Sequence, residues 1–173
     1  FGDASANHSS AQGALNAAAY TAHQGVRLPL LFVCEDNGWG ISVPTPPCWV
    51  AASLSGRAGL RYEAADGTDP VGLFDTGEEL ADWVRSTGRP AILHLRTVRF
   101  GGHAGTDVEA SYRSVAGIRA DRDRDPLLAT ARVLAASGCG SGDAFAQRYL
   151  ATRARVRERA EELIGGPVLS SAV

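Results

Sequence analysis

The sequence contains no lysine; all 17 of its basic residues are arginine. Chemistry that needs an amine side chain is therefore excluded within this chain: no Schiff-base lysine, no P-loop lysine, no kinase lysine. Methionine is absent too, and residue 1 is Phe inside the run FGD. That beginning reads as the interior of a longer polypeptide. Cysteine is scarce: Cys34, Cys48 and Cys139 are odd in number and far apart. They form neither a zinc-ligand pattern nor a disulfide framework, so a reducing, cytoplasmic setting is expected. No apolar run approaches the roughly 20 residues that span a bilayer, and no membrane partner is expected. A basic excess is also missing, since 17 basic against 19 acidic residues leave a formal net charge of −2. Nucleic acid is therefore not an expected partner, because phosphate backbones demand clustered positive charge.

What is present suffices for one domain. The chain has 173 residues, 45% of them hydrophobic, and a chain of this size buries roughly 70% of its unfolded surface. Ser9 or Ser10 is positioned to cap an Ala-rich helix that runs to about Gln24 and stops at Gly25. Residues 28–34 form a continuous apolar run of strand length. A loop over 35–42 and a Pro-rich stretch follow. Next come a short strand at 60–64, a helix at 71–86 ending near Gly88, and a strand at 91–98. Residues 99–125 read as a long Gly-rich, charged loop, a length often tied to function. Helices at 126–136 and 143–164 close the chain. In the last, Phe145, Tyr149, Thr152, Val156, Ala160 and Leu163 share one stripe, expected to dock as an ordinary amphipathic face. Arg155–Glu158, Arg157–Glu161 and Arg159–Glu162 are spaced to pair on the other faces.

Strands alternating with helices predict an α/β fold, a mostly parallel sheet flanked by helices, with a helical C-terminal tail. Residues 1–125 would form the sheet domain and 126–173 the tail. Ligands of such sheets sit at the carboxyl ends of the strands. Three loops fall there: the one at Gly2-Asp3, the one after 28–34, and the one after 91–98. Asp3 and Asn37 stand 34 residues apart and converge if their strands are neighbours. A carboxylate, an amide oxygen and a backbone carbonyl from Trp39 make a partial oxygen shell of the kind Mg²⁺ takes. The same two residues also fit plain local roles, Asp3 as a helix cap and Asn37 in a left-handed turn position. In the third loop, Arg99 and His103 stand among Gly101, Gly102 and Gly105, a composition suited to a diphosphate or to a simple flexible turn. His8, beside these groups, is expected to cap or to face solvent. His94 is expected to be a satisfied core residue, Cys34 an inert buried thiol, and Trp49 and Trp83 packing residues. Asp66 and Asp69 read as turn and cap residues.

Four stretches occur in order: GDASANHSSAQGALNAA, LPLLFVCEDNGWGIS, ADGTDP and RTVRFGGHAGTDVEASYR. Together they resemble the α-type subunit of thiamine-diphosphate-dependent 2-oxo acid dehydrogenases, the first components of the pyruvate and branched-chain complexes. The resemblance is strong over 1–113 and looser to about residue 164. It implies oxidative decarboxylation of a small 2-oxo acid and acyl transfer to a lipoyl group. It further implies thiamine diphosphate and Mg²⁺ as cofactors. The implied partners are a β-type subunit or fused pyrimidine-binding domain and a lipoyl acyltransferase component.

The family's motif runs from Gly-Asp-Gly to Asn-Asn. On that match Asp3 and the side chain of Asn37 bind Mg²⁺, as does the carbonyl of Trp39. Gly2, Ala4 and Ser5 lie against the diphosphate, and Asn16 packs behind it. Arg99 and His103 match the family's Arg-x-x-Gly-His loop on the diphosphate, with His103 also implied in acyl transfer. Tyr112 and Arg113 match the pair that closes that loop. Three positions depart from the pattern: Ala4 replaces the motif's third Gly, Asp36 replaces its first Asn, and Ala104 replaces the serine that regulated relatives phosphorylate. Kinase control at 104 is thus not expected. The activating glutamate lies on a partner domain in this family, so residues 1–173 are expected to be inactive by themselves. A transketolase-like enzyme and a non-catalytic partner-binding subunit are the alternative readings.

Overall fold

A computed structural model describes residues 1–166 of the chain, in two compact units, one to Ala129 and one from Thr130. Helix α1 occupies Ser9–His23. Its cap is His8, not the serines: the His8 imidazole accepts the backbone N–H of Ser10, and Gly25 past the end takes φ 73°. The apolar run after it becomes strand β1, Leu31–Asp36, which starts three residues later than predicted. Pro29 has no N–H to give a ladder, and the N–H of Leu28 is already bonded to the Gly88 carbonyl at 2.7 Å.

Residues 39–54 differ most from the sequence reading. A two-residue hairpin, β2 (Trp39–Gly40) against β3 (Val43–Pro44), stands where a loop was predicted. A short helix α2, Trp49–Leu54, follows it. Strand β4 spans Arg61–Asp66. Helix α3, Pro70–Thr87, is capped by Asp69, whose carboxylate accepts the N–H groups of Val71 and Gly72, and Gly88 ends it at φ 66°. Strand β5 is Ala91–Arg96. The predicted loop 99–125 also holds order. A 3-10 turn covers Glu109–Ser111 and helix α4 covers Val115–Asp123, with the Ser114 hydroxyl accepting the N–H of Gly117.

The sheet is parallel, in the order β1-β5-β4, with Cys34, His94 and Ala64 in register. The fold class is therefore the predicted one. Side chains alternate across the strands. Cys34 and Ile92 meet Leu15 of α1 and Val50 and Leu54 of α2 on one face. Ala91, Leu93 and Ala65 meet Leu80 and Val84 of α3 on the other. Cys34 is inert as expected, since burial pushes its thiol up to about 12. Trp83 packs on the α3 side, but Trp49 is about half exposed and donates its indole N–H to Asn7 Oδ1 at 2.7 Å.

Helix α5 is Pro126–Ala136 and helix α6 is Gly142–Leu163. Ser141 caps α6 through the N–H of Ala144. Its stripe is not buried: Tyr149, Val156 and Leu163 are exposed. Of its three spaced pairs, Arg159–Glu162 forms an ion pair. Residues 167–173, the end of the predicted tail, lie outside the described residues.

Candidate functional site

The first three residues lie along β1. The Phe1 amino group donates to the Val33 carbonyl at 2.9 Å, and Glu35 N–H donates to the Phe1 carbonyl at 2.8 Å. A parallel bridge pairs Gly2 with Glu35. The segment leading to Asp3 thus lies beside β1, the strand leading to Asn37, which brings the two residues to one edge. Both reach the carboxyl edge of the sheet, and β5 brings Arg99 to the same edge.

Asp3 is 2% exposed. Its Oδ2 accepts the hydroxyl of Thr45, which leaves further lone pairs on an acceptor-only group. Ala4 then starts a 3-10 turn over Ser5–Asn7 with φ −67°. That angle is open to any L-residue, so a glycine is not required there. Asp3 does not cap α1; His8 does.

β1 ends in two successive Asx turns. Gly38 N–H donates to Asp36 Oδ1 at 3.0 Å, and Trp39 N–H donates to Asn37 Oδ1 at 3.1 Å. Gly38, at φ 77°, takes the left-handed position, not Asn37. The Asn37 oxygen keeps a second lone pair. The N–H of Thr45 donates to the Gly38 carbonyl at 2.9 Å, so one threonine ties the hairpin both to the Asn37 turn and to Asp3. The sequence carries no signal for Thr45, because it sits in a Pro-rich stretch with no readable period.

The third loop is fastened by its own side chains. Arg99 Nη1 donates to the Ile41 carbonyl and Nη2 to the Tyr112 hydroxyl, both at 2.7 Å. Tyr112 donates to Asp107 Oδ2, which also accepts the backbone N–H of His103, again both at 2.7 Å. The His103 amide first, and the Tyr112 hydroxyl second, hold the Asp107 carboxyl below the usual carboxylate range. Burial, then the bond to Asp107, pushes the Tyr112 hydroxyl up. Gly102 passes so close to the Asp107 carbonyl that a Cβ there would collide with it. Arg113 pairs with Glu109 at 2.6 Å and with Asp121, and its guanidinium lies 5.0 Å from the Trp39 ring centroid. Tyr112 and Arg113 thus close the loop physically. Asp107 and Asp121, which the sequence reading passed over, complete the closure.

All eight predicted site residues line one cleft of about 840 Å³. Gly2, Asp3, Ala4 and Ser5 enter from the first turn, Asn37 and Trp39 from the second, and Arg99 and His103 from the third. His8, Ala14 and Phe32 add to its walls. Arg99 Nε is buried without a hydrogen-bond partner among the described residues, an unmet donor beside the cleft. Carboxylate, amide and carbonyl oxygens suit a hard divalent cation. A guanidinium and an imidazole facing them suit phosphate oxygens.

Comparison with known proteins places this arrangement. A family model described as dehydrogenase E1 component matches residues 1–163. The chain is 31% identical to the 2-oxoisovalerate dehydrogenase subunit alpha of Caenorhabditis elegans, over 72% of this chain and 28% of that one. It is 27% identical to the 2-oxoisovalerate dehydrogenase subunit alpha of Bacillus subtilis, over 96% and 50%. It is 33% identical to the pyruvate dehydrogenase E1 component subunit alpha of Zymomonas mobilis, over 80% and 38%. In these three alignments the chain spans between about a quarter and a half of the relative's length. Fold, motif order and family model agree: the chain belongs to the dehydrogenase E1 component family.

Proposed function

We propose that this chain is the diphosphate-anchoring part of an oxidoreductase that decarboxylates a 2-oxo acid and passes the acyl group to a lipoyl arm. The observation that carries this reading is the meeting of all eight motif residues on one cleft. The residues fit the implied cofactors. Asp3 is a buried carboxylate with acceptor capacity beyond its one hydroxyl partner. Arg99 offers a buried N–H that nothing among the described residues accepts.

Thiamine diphosphate, when bound, supplies the nucleophilic carbon and the electron sink for decarboxylation. This chain's part is to hold and orient. Asp3, the Asn37 side chain and the Trp39 carbonyl would hold Mg²⁺. Gly2, Ala4 and Ser5 would lie against the diphosphate, and Arg99 would offset its charge by charge-assisted hydrogen bonds. His103 stands on the clamped loop beside Arg99, where it would contact the diphosphate and assist acyl transfer. A β-type subunit or fused pyrimidine-binding domain would complete the site, and a lipoyl acyltransferase component would receive the acyl group. The location remains the one expected from three scattered cysteines, reducing and cytoplasmic.

The test is turnover by the whole protein with its partner on a panel of 2-oxo acids, with thiamine diphosphate, Mg²⁺ and an artificial electron acceptor. We expect decarboxylation of at least one acid, abolished by Asp3→Ala. No turnover at saturating cofactor, or turnover unchanged by Asp3→Ala, would overturn the reading.

A further inference from the structure

A line of polar groups runs beneath the Asn37 turn, on an otherwise apolar face of the sheet. The Tyr62 hydroxyl lies 2.7 Å from His94 Nδ1, and His94 Nε2 lies 2.9 Å from Asp36 Oδ2. Asp36 Oδ1 accepts the N–H of Gly38 at 3.0 Å. The three side chains belong to β4, β5 and β1, so the line crosses every strand of the sheet. His94 is 4% exposed, and Ile92 and Cys34 beside it in the strands belong to the hydrophobic core.

The proton positions follow from chemistry. A carboxylate only accepts, so His94 Nε2 carries the ring hydrogen. On a ring with no second hydrogen the other nitrogen is an acceptor, and the Tyr62 hydroxyl donates to it. Every donor in the line therefore points toward Asp36, whose two oxygens are both used. An asparagine has one oxygen and one NH₂ group. At position 36 its oxygen could accept the Gly38 N–H, but its NH₂ would reach His94 Nε2 only with the ring hydrogen moved to Nδ1 and the Tyr62 hydroxyl turned to accept it. The carboxylate that stands here in place of the pattern's first Asn receives the Gly38 N–H and His94 Nε2–H together without that rearrangement.

We infer that Asp36 is a positioning residue, oriented by His94 and Tyr62, that fixes the turn from which Asn37 offers its side-chain oxygen to Mg²⁺. This rests on the proposed cofactor site. Groups one shell removed from a metal commonly change its affinity by about 10- to 100-fold when lost. Asp36 acts through the Gly38 N–H, and His94 acts through Asp36, so the effect should fall along the line.

The experiment is calorimetric titration of thiamine diphosphate into the whole protein at stepped Mg²⁺ concentrations, without substrate. Asp36→Ala and His94→Leu should raise the Mg²⁺ concentration for half-saturation by about 10-fold or more. His94→Gln, which keeps an amide donor near the Nε2 place, should restore most of the loss, and Tyr62→Phe should show the smallest change. Folded Asp36→Ala and His94→Leu proteins with the parent's Mg²⁺ dependence would overturn the inference alone. No Mg²⁺-dependent binding by the parent would overturn the proposed cofactor site, and the inference with it. Should the variants not fold, nitrogen NMR of His94 in the parent decides: a hydrogen on Nε2 is expected, and a ring whose Nε2 carries none overturns the inference.

Discussion

Helices α3 and α6 carry apolar stripes of similar spacing and meet opposite fates. In α3, Leu80 and Val84 are 0% and 5% exposed, covered by Ala65 and Leu93 of the sheet. In α6, Tyr149, Val156 and Leu163 are 56%, 65% and 79% exposed. Every fully buried side chain among the described residues lies before Ala129, within the first unit. The periodicity of a helix marks a face that gains from burial; it does not provide the covering surface. For α3 that surface is the face of β4 and β5 opposite α1. For α6 the local terms are the Ser141 cap, worth up to about 1 kcal/mol, and exposed i,i+3 pairs such as Arg159–Glu162, worth little.

The sharpest way to break that contrast is to delete the same kind of side chain in both helices. Leu80→Ala should destabilise the chain by about 2–5 kcal/mol, because the sheet collapses only partly into the cavity. Val156→Ala should stay within about 0.5 kcal/mol, as exposed substitutions do. Denaturant unfolding followed by circular dichroism measures both. A loss above about 1.5 kcal/mol for Val156→Ala would mean that the stripe is covered in solution.

A smaller effect comes from the caps. Asp69→Ala and Ser141→Ala each remove a side-chain acceptor from a first-turn N–H, typically worth about 1 kcal/mol. In α3 the helix is fused to the core through Leu80, so Asp69→Ala should lower the global unfolding free energy by about that amount. In α6 no residue is buried, so Ser141→Ala should instead speed amide exchange in the first turn of α6 and leave global unfolding unmoved. Equal global losses from both would show that the two helices unfold as one cooperative unit.

The same contrast explains what the sequence revealed. Strands β1 and β5 were legible because a parallel strand buried on both faces is a near-continuous apolar run. The site residues were legible because Asp3, Asn37, Arg99 and His103 stand at the carboxyl ends of such strands. Helix α2 and the β2–β3 hairpin were not, since VPTPPCWV offers neither period. Its shape comes from a left-handed Cys48 at φ 62° and from Thr45, which reaches back across the hairpin to Gly38 and to Asp3, 42 residues away. Helix α4 escaped because four of its nine residues are charged and Gly117 stands in its first turn. Its anchor is an ion pair from Arg113 outside it to Asp121 within it, a tertiary feature that local pattern does not encode.

The smallest expected effect compares a charged group in each region. The Asp107 carboxyl is held below its ordinary value of 3.8, first by the His103 amide and then by the Tyr112 hydroxyl. A depressed carboxyl stabilises the folded loop above the unfolded value and loses that contribution as pH falls through the folded one. The His103 loop should therefore stay fastened from neutral pH down to about pH 5 and loosen below pH 4. Asp107→Ala should loosen it at neutral pH as well, since it removes the one oxygen that accepts from both donors. Amide exchange at His103, compared with the parent at each pH, reads both changes. In α6 the Arg159–Glu162 pair is 79% and 58% exposed, and such pairs are screened and worth little. Glu162→Gln should leave exchange in α6 unchanged at moderate salt. Equal responses from the two carboxyl groups would mean that Asp107 is no clamp but one more solvated charge, and that the His103 loop takes its order from elsewhere.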